Sequence, residues 1–178
     1  MNFSKARKKI FTTLLLLMLL VFSTTLVCSA ATLIISTVRQ ERSNWCWAAC
    51  SEMVGKWKYG NRSQTQIVTH IKGSAINEPA SSSETARAAT YASNNNASFT
   101  SGGRLSLNTV TYMINNRNNP LIAGCSGSGV GHMLVAHGVS GNDLFICDPA
   151  TGRSSWVNYS IFSNSYGGRA WRESVYIR

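Results

Sequence analysis

The sequence predicts an α+β fold in which helices come first and a largely antiparallel sheet follows. Residues 46–57 place apolar side chains at i, i+1, i+4, i+5 and i+8, the pattern of a helix with one buried face. After Pro120 the apolar residues form compact segments separated by turns rich in Gly or Asn-Asp, which is typical of strands. Helices and strands that occupy different parts of the chain indicate an α+β domain.

Residues 1–30 differ from the rest and predict a secretory signal peptide. A basic region precedes the uncharged stretch 10–27, and small residues follow it. We expect cleavage after Ala30 or Ala31, a secreted product, and one domain over residues 31–178. The alternative is an uncleaved membrane anchor through residues 10–27, because its 18 residues are just long enough to span a bilayer.

The charge of the chain is positive but scattered. The signal peptide removes four of the 17 basic residues and none of the 7 acidic ones, which lowers the net charge from +10 to +6. No motif that reads nucleic acids is present, so we expect no nucleic-acid partner. We also expect a monomer with no stable membrane association after cleavage. A basic exported protein can still adhere to anionic envelope polymers.

Four cysteines follow the signal peptide, and we expect them to be free thiols. Cys46 and Cys50 are one helical turn apart, a spacing that satisfies disulfide geometry poorly. Cys125 and Cys147 complete the set, and four cysteines allow three pairings. A core of this size does not need disulfides, and we interpret Cys50 as buried packing.

The helices are predicted in the first two thirds of the chain. Asn44 is the predicted N-cap of the helix at 46–57, so Cys46 falls in its first turn. A Ser-rich loop is predicted at 73–83. The other predicted helices are 63–71, 84–92 and 105–115.

The strands are predicted mainly in the last third of the chain, and together they form the sheet half. A cleft between this half and the helical half is the natural position for a functional site, and Cys46 would lie on its helical wall. The predicted strands are 97–100, 121–125, 132–139, 144–147 and 171–177.

Cys46 has the features of a nucleophile if a base faces it. The first turn of a helix favours a thiolate through its exposed N–H groups, and a histidine must supply the base. His70 lies in a polar helix and reads as a surface residue. His132 and His137 are five residues apart on one predicted strand, so they point to opposite faces. His132, at the mouth of the strand among glycines, is the better candidate.

Asp148 and Gln40 are the other two candidate site residues. Asp148 ends the strand at 144–147 and could orient the His132 imidazole if the two strands pair as a hairpin. The two registers are close but unequal, so this contact requires a bulge or a longer pairing. Gln40, six residues before Cys46, could donate to an oxyanion together with the Cys46 backbone N–H.

This set of residues resembles the papain-like cysteine peptidases, in particular a short bacterial branch of secreted and plant-pathogen effector peptidases. The resemblance rests on Gln40, Cys46-Trp47, Gly131-His132 and Asp148-Pro149, which occur in the order of that family. It implies a papain-like fold in which a catalytic helix packs on a sheet. It also implies that Cys46 attacks, His132 acts as base, Asp148 orients it and Gln40 completes the oxyanion hole.

The predicted function is therefore hydrolysis of peptide bonds in a protein or peptide substrate, with a thioester intermediate and no cofactor or metal. The helix opens with NWCWAA instead of the Cys-Gly type of bacteriocin-leader peptidases, which argues against processing of double-glycine leaders. Two alternatives remain. One is an acyl- or amide-transferring enzyme with the same triad, and the other is a catalytically silent binding module.

Overall fold

The structure is a computed structural model that describes residues 30–127 and 129–178. The predicted signal peptide lies outside the described residues except for Ala30. Five helices occur in the described part: α1 (Cys46–Trp57), α2 (Gln64–Lys72), α3 (Ser82–Ala92), α4 (Leu107–Thr111), which continues as a π-helical turn (Tyr112–Asn116), and α5 (Tyr159–Ser165). Seven strands occur there: β1 (Ala31–Thr32), β2 (Phe99–Gly103), β3 (Leu121–Gly127), β4 (His132–Ser140), β5 (Asp143–Asp148), β6 (Arg153–Asn158) and β7 (Arg169–Ile177).

The seven strands form one antiparallel sheet. Its order is β2-β7-β3-β4-β5-β6, and β1 pairs with the end of β4 that β3 does not reach. Helix α1 packs on β4 and β3 and crosses α2 and α3 on its other side. The predicted α+β fold, with a helical half packed on an antiparallel sheet half, is confirmed.

Helix α1 lies at the centre of the molecule. Ten of its 12 residues are buried, which includes all positions from Cys46 to Gly55. A Cβ atom on Gly55 would lie 2.6 Å from the Cβ of Ala92, so α1 and α3 cross too closely for any larger residue there. This crossing fixes where the first turn of α1 meets the sheet.

Side-chain caps define the first residue of α2 and α3 but not that of α1. Capping boxes formed by Ser63 with Gln66 and by Ser81 with Glu84 begin α2 and α3, and α3 therefore starts two residues before its predicted position. The predicted N-cap of α1 was wrong. Trp45 occupies that position without a side-chain cap, and Asn44 instead donates to the backbone carbonyl of Asn77.

Three elements were not predicted. Strand β1 has only two residues, too few to show alternation. Strand β6 lies at the edge of the sheet and keeps several side chains exposed. Its sequence therefore lacks the alternation of apolar and polar residues that predicts a strand. Helix α5 buries only Phe162 and Ser163.

Within the described residues no helix is both long and apolar enough to cross a bilayer.

The four cysteines of the described part are free and buried. Cys50 is fully buried. Burial raises the pKa of the Cys50 thiol well above its ordinary value, and the neighbouring Cys46 thiol raises it further. Cys50 is therefore a neutral packing residue, as the sequence predicts.

Candidate active site

The four predicted site residues lie together. Gln40, Cys46, His132 and Asp148 all line a single cleft of about 730 Å³, between the start of α1 and the end of the sheet where β4 begins. Trp47, Cys125, Tyr166 and Arg169 are also among its lining residues. The cleft joins the helical half to the sheet half.

Cys46 is the first residue of α1, and two tryptophans hold it in place. Trp45 and Trp47 are each 1% exposed. The Trp45 indole N–H donates to the Ile76 carbonyl at 2.8 Å, and that of Trp47 donates to the Glu78 carbonyl at 3.0 Å. Both indoles thus tie the helix start to the loop between α2 and α3. Trp47 also lines the cleft.

His132 and Asp148 meet because of a β-bulge in β4. Ser140 pairs with Asp143 and Gly138 with Phe145, but the register then shifts, and Ala136 pairs with Ile146. His137 is the extra residue at this shift.

The bulge decides which face of the sheet Asp148 occupies. Beyond it Val135 pairs with Cys147, so Asp148 falls opposite Leu134, two residues from His132 and on the same face. Without the bulge Asp148 would fall opposite Val135, on the other face. Across the resulting diagonal, Nε2 of His132 lies 2.7 Å from Oδ1 of Asp148. The bulge that the sequence required for this contact is present.

The imidazole of His132 is held in its charged form. Burial lowers its pKa, but the hydrogen bonds to Asp148 and to Cys46, together with the negative charges of both, raise the pKa of His132 to about 9. Since Nε2 is hydrogen-bonded to Asp148, Nδ1 is the ring nitrogen left to interact with the thiol of Cys46. One ring therefore connects the other two groups.

The carboxyl group of Asp148 is held in its ionised form. Burial raises its pKa, but the hydrogen bond from His132 and one from the backbone N–H of Ala150 at 2.8 Å, with the charges of His132 and Arg169, lower the pKa of Asp148 below its usual range. At neutral pH this combination favours an aspartate beside an imidazolium.

Gln40 belongs to a strap, residues 39–41, that is fixed on both sides. The backbone N–H of Gln40 donates to the Pro149 carbonyl at 2.8 Å, directly after Asp148. On the other side, the buried carboxamide of Gln64 donates to the Arg39 carbonyl at 2.9 Å and accepts from the Glu41 N–H at 2.9 Å. The strap therefore keeps a constant position relative to both walls of the cleft.

The carboxamide of Gln40 is oriented by the turn before α1. Its nitrogen lies 2.8 Å from both the Arg42 and the Ser43 carbonyl oxygens, to which it donates. Its oxygen, Oε1, is buried and has no hydrogen-bond partner among the described residues. The nitrogen thus points along the turn that leads to Cys46.

The other two histidines lie outside the cleft. His137 is 4% exposed, and its two ring nitrogens lie 2.9 Å from the Leu33 carbonyl and from the Ser154 hydroxyl. Burial lowers the pKa of His137, although the Leu33 carbonyl opposes this. His70 is exposed and stacks on Tyr91 with 3.8 Å between ring centroids. Both placements agree with the sequence reading.

The family assignment follows from the sequence profile described as the papain-like cysteine protease AvrRpt2, which matches residues 28–167. The chain belongs to this family of cysteine peptidases. No curated protein matches it at a significant level.

Solved structures of other peptidases share the fold of this peptidase. A C39-like peptidase from Bacillus anthracis is 9% identical, has a TM-score of 0.63, and the match covers 84% of this chain and 98% of that one. A double glycine motif protease from an AMS/PCAT transporter, in complex with its leader peptide, is 18% identical, has a TM-score of 0.56, and the match covers 83% and 94%. The peptidase domain of Streptococcus ComA has a TM-score of 0.53 at 15% identity, with 80% and 96% covered.

Two residues of the peptidase cleft were missed by sequence reasoning. Arg169, at the start of β7, donates through Nε to the Val130 carbonyl at 3.1 Å and so holds the glycine-rich loop before His132. Cys125 pairs with His132 across β3 and β4. Burial raises the pKa of Cys125 to about 12, which Arg169 opposes only in part. Neither residue has a local sequence signal, because each enters the cleft only through strand pairing.

The first prediction concerns the charge of His132. In Asp148→Ala its pKa should fall from about 9 towards the ordinary value of about 6.5, because burial then acts without the compensating carboxylate. The measurement is an NMR titration of the imidazole protons in both proteins. The stabilisation from this raised pKa is complete below about pH 6.5 and is lost as the pH rises through 9, so Asp148→Ala should also remove an alkaline decline in stability between these values.

His70, which is exposed and does not line the cleft, is the internal reference, and its NMR signals should be the same in the two proteins. An unchanged His132 titration in Asp148→Ala would contradict the assigned role of the carboxylate.

Proposed function

We propose that this peptidase is exported and hydrolyses peptide bonds through Cys46, His132 and Asp148, with a thioester acyl-enzyme as intermediate. The observation that carries the proposal is that the imidazole of His132 is hydrogen-bonded to Asp148 and lines the same cleft as the thiol of Cys46. A nucleophile, a base and a group that orients the base are thus connected in one cleft.

In the acylation step, the Cys46 thiolate attacks the carbonyl carbon of the substrate and the carbonyl oxygen becomes an oxyanion. The His132 imidazolium then gives its Nδ1 proton to the leaving amine as the C–N bond breaks, which leaves a thioester on Cys46. In the second step water attacks the thioester, and neutral His132 takes its proton. The carboxylic acid leaves, and the thiolate–imidazolium pair is restored.

Asp148 supports both steps by its position. Its carboxylate accepts from Nε2–H of His132, which keeps the other ring nitrogen directed at the thiol and stabilises the imidazolium. The Ala150 N–H at 2.8 Å holds the carboxylate in turn. The proton that moves during the reaction is the one on Nδ1.

Cys46 is also the nucleophile favoured over the other thiol in the cleft. Cys125 lies beside His132, but burial raises its pKa to about 12, so it stays protonated in the neutral range. Cys46 has the advantages of the first turn of α1, where backbone N–H groups have no acceptor within the helix.

The oxyanion is stabilised by the Cys46 backbone N–H and by the carboxamide of Gln40. The Arg42 and Ser43 carbonyls that orient Gln40 belong to neighbouring residues, so one N–H of Gln40 can be shared between them as a three-centre bond. The second N–H is then available for the oxyanion. The other end of the carboxamide, Oε1, is buried and has no hydrogen-bond partner among the described residues.

The substrate is a protein or peptide, and the processed chain, residues 31–178, acts outside the cell as a monomer. The fold is similar to that of a double glycine motif protease in complex with a leader peptide, but the helix of this chain opens with NWCWAA instead of the Cys-Gly type of bacteriocin-leader peptidases. We therefore place its substrates outside the double-glycine leaders.

The second prediction tests the nucleophile. Cys46→Ala should abolish both hydrolysis of an unfolded protein such as casein and labelling by an epoxide thiol inhibitor of the E-64 type, while its thermal unfolding stays close to that of the parent protein. Cys50→Ala is the matched control, one helical turn away, and should keep both. Peptide mapping that located the inhibitor on Cys125 or Cys147 would overturn the assignment.

The third prediction tests the oxyanion donor. Gln40→Ala should lower kcat by roughly 10²–10³-fold, the usual loss for one oxyanion donor, and should leave alkylation of Cys46 by a small reagent nearly unchanged. Gln66→Ala removes a carboxamide from the cap of α2, outside the cleft, and should leave kcat unchanged. If kcat and alkylation fell together in Gln40→Ala, the carboxamide would act only by holding the turn before Cys46.

A further inference from the structure

The end of α1 remote from the cleft carries an exposed apolar face. Ile34 and Tyr59 are 92% and 88% exposed, the highest values among large apolar residues of the described part. Both line one shallow groove of about 370 Å³ together with Trp57. We call this surface the Ile34–Tyr59 face, and its remaining lining residues are Ser36, Lys56, Lys58 and Asn118.

Tyr59 is held in a backbone conformation that does not suit it. Its φ of 63° lies in the left-handed region, at the position after a helix where glycine is strongly favoured. A bulky residue at such a φ lowers the stability of the fold. Because the side chain is so exposed, its packing contacts offset little of this loss. A strained backbone under an exposed aromatic ring is not explained by packing, and it makes Tyr59 a candidate for contact with a partner outside the chain.

The charge around the face is positive. Lys56 and Lys58 line the groove, and no carboxylate does so among the described residues. Arg117 lies close by. Burial lowers the pKa of Lys58, and the charge of Arg117 lowers it further. The charge of Lys56 is compensated, since its Nζ lies 2.6 Å from Oε1 of Glu52.

The face also lies where the chain enters the fold. Ile34 comes seven residues after Val27, the end of the apolar stretch 10–27, and seven extended residues reach at most about 25 Å. Strand β1 packs against the π-helical turn that ends beside Arg117. If residues 10–27 were retained as a membrane anchor, this face would therefore be held within about 25 Å of the bilayer.

We propose that the Ile34–Tyr59 face binds the surface of an anionic phospholipid bilayer. Ile34 and the rings of Tyr59 and Trp57 would enter the headgroup region, where amphipathic rings are favoured. Lys56, Lys58 and Arg117 would lie near the lipid phosphates. A soluble polyanion could satisfy the cations but gives no apolar environment for Ile34, so the bilayer is the better partner. This departs from the expectation that the processed chain has no membrane partner.

Such docking would orient the cleft. Helix α1 has Cys46 at one end and Trp57 at the other, and its 12 residues span about 17 Å. With the Ile34–Tyr59 face on the bilayer, the cleft lies at the opposite end of this helix and opens to solvent. Binding would therefore concentrate the protein at a membrane surface without covering the site, whether or not residues 1–30 have been removed.

The test is hydroxyl-radical footprinting of the exported protein, with or without residues 1–30, in the presence and absence of vesicles. With vesicles of phosphatidylglycerol and phosphatidylcholine, oxidation of Ile34 and Tyr59 should fall by about fivefold or more. Oxidation of Ile161, which is 56% exposed on α5, should not change. Failure to sediment with these vesicles would overturn the proposal, as would sedimentation without protection, or equal protection of Ile161.

Variants separate the bilayer from a charged polymer. The double variant Ile34→Ser, Tyr59→Ser should lose the protection of Trp57, and Lys58→Gln should weaken vesicle binding about fivefold, the usual value of one cation near an anionic surface. Ile161→Ser and Arg87→Gln are the matched controls and should bind as the parent does. Solution hydrolysis of casein should be unchanged in all four. If polyphosphate protected the face equally, and the double variant retained that binding, a polyanion would be the partner and the proposal would be wrong.

Discussion

The hydrogen bond between His132 and Asp148 depends on one extra residue in β4, and the chemistry of the cleft depends on that hydrogen bond. Because His137 interrupts the pairing with β5, Asp148 shares a face with His132 instead of pointing to the other side of the sheet. His137 is buried there between the Leu33 carbonyl and the Ser154 hydroxyl, so it joins β1 and β6 to the bulge. A histidine outside the proposed triad thus keeps the proposed base and its carboxylate together.

The helical wall is positioned by bonds from side chains to backbone. The two indoles beside Cys46 bind carbonyl groups of the loop before α3, while Gln64 fixes the strap that carries Gln40. The strap is also bonded to Pro149, next to Asp148. The two walls of the cleft are therefore connected directly, and a displacement of one displaces the other. This explains why a thiol is flanked by two tryptophans: they restrain the start of α1 in directions that a hydrophobic contact alone leaves free.

The sequence was sufficient for the fold class and for selecting four residues that share one cleft, and the reasons are physical. The apolar residues of α1 recur with the spacing of a helix, and Gln40, Cys46, His132 and Asp148 stand beside recognisable elements. What could not be predicted depends on pairing over long distances. Arg169 reaches the loop at Val130 only because β7 lies beside β3, and β1 becomes a strand only because β4 extends past β3. The exposure of Ile34 and Tyr59 likewise requires the packed fold, since both look like ordinary core residues in the sequence.

The central claim is that Cys46 reacts as a thiolate paired with the imidazolium of His132. The most direct measurement is the rate of alkylation of Cys46 by iodoacetamide between pH 4 and 10, followed by mass spectrometry, in the parent protein and in His132→Ala. We expect the alkylation rate of the parent protein to change near pH 9, where His132 loses its proton. In His132→Ala this change of rate should be absent, because the imidazole that causes it has been removed. A change of rate near pH 9 that survived in His132→Ala but disappeared in His137→Ala would contradict the account.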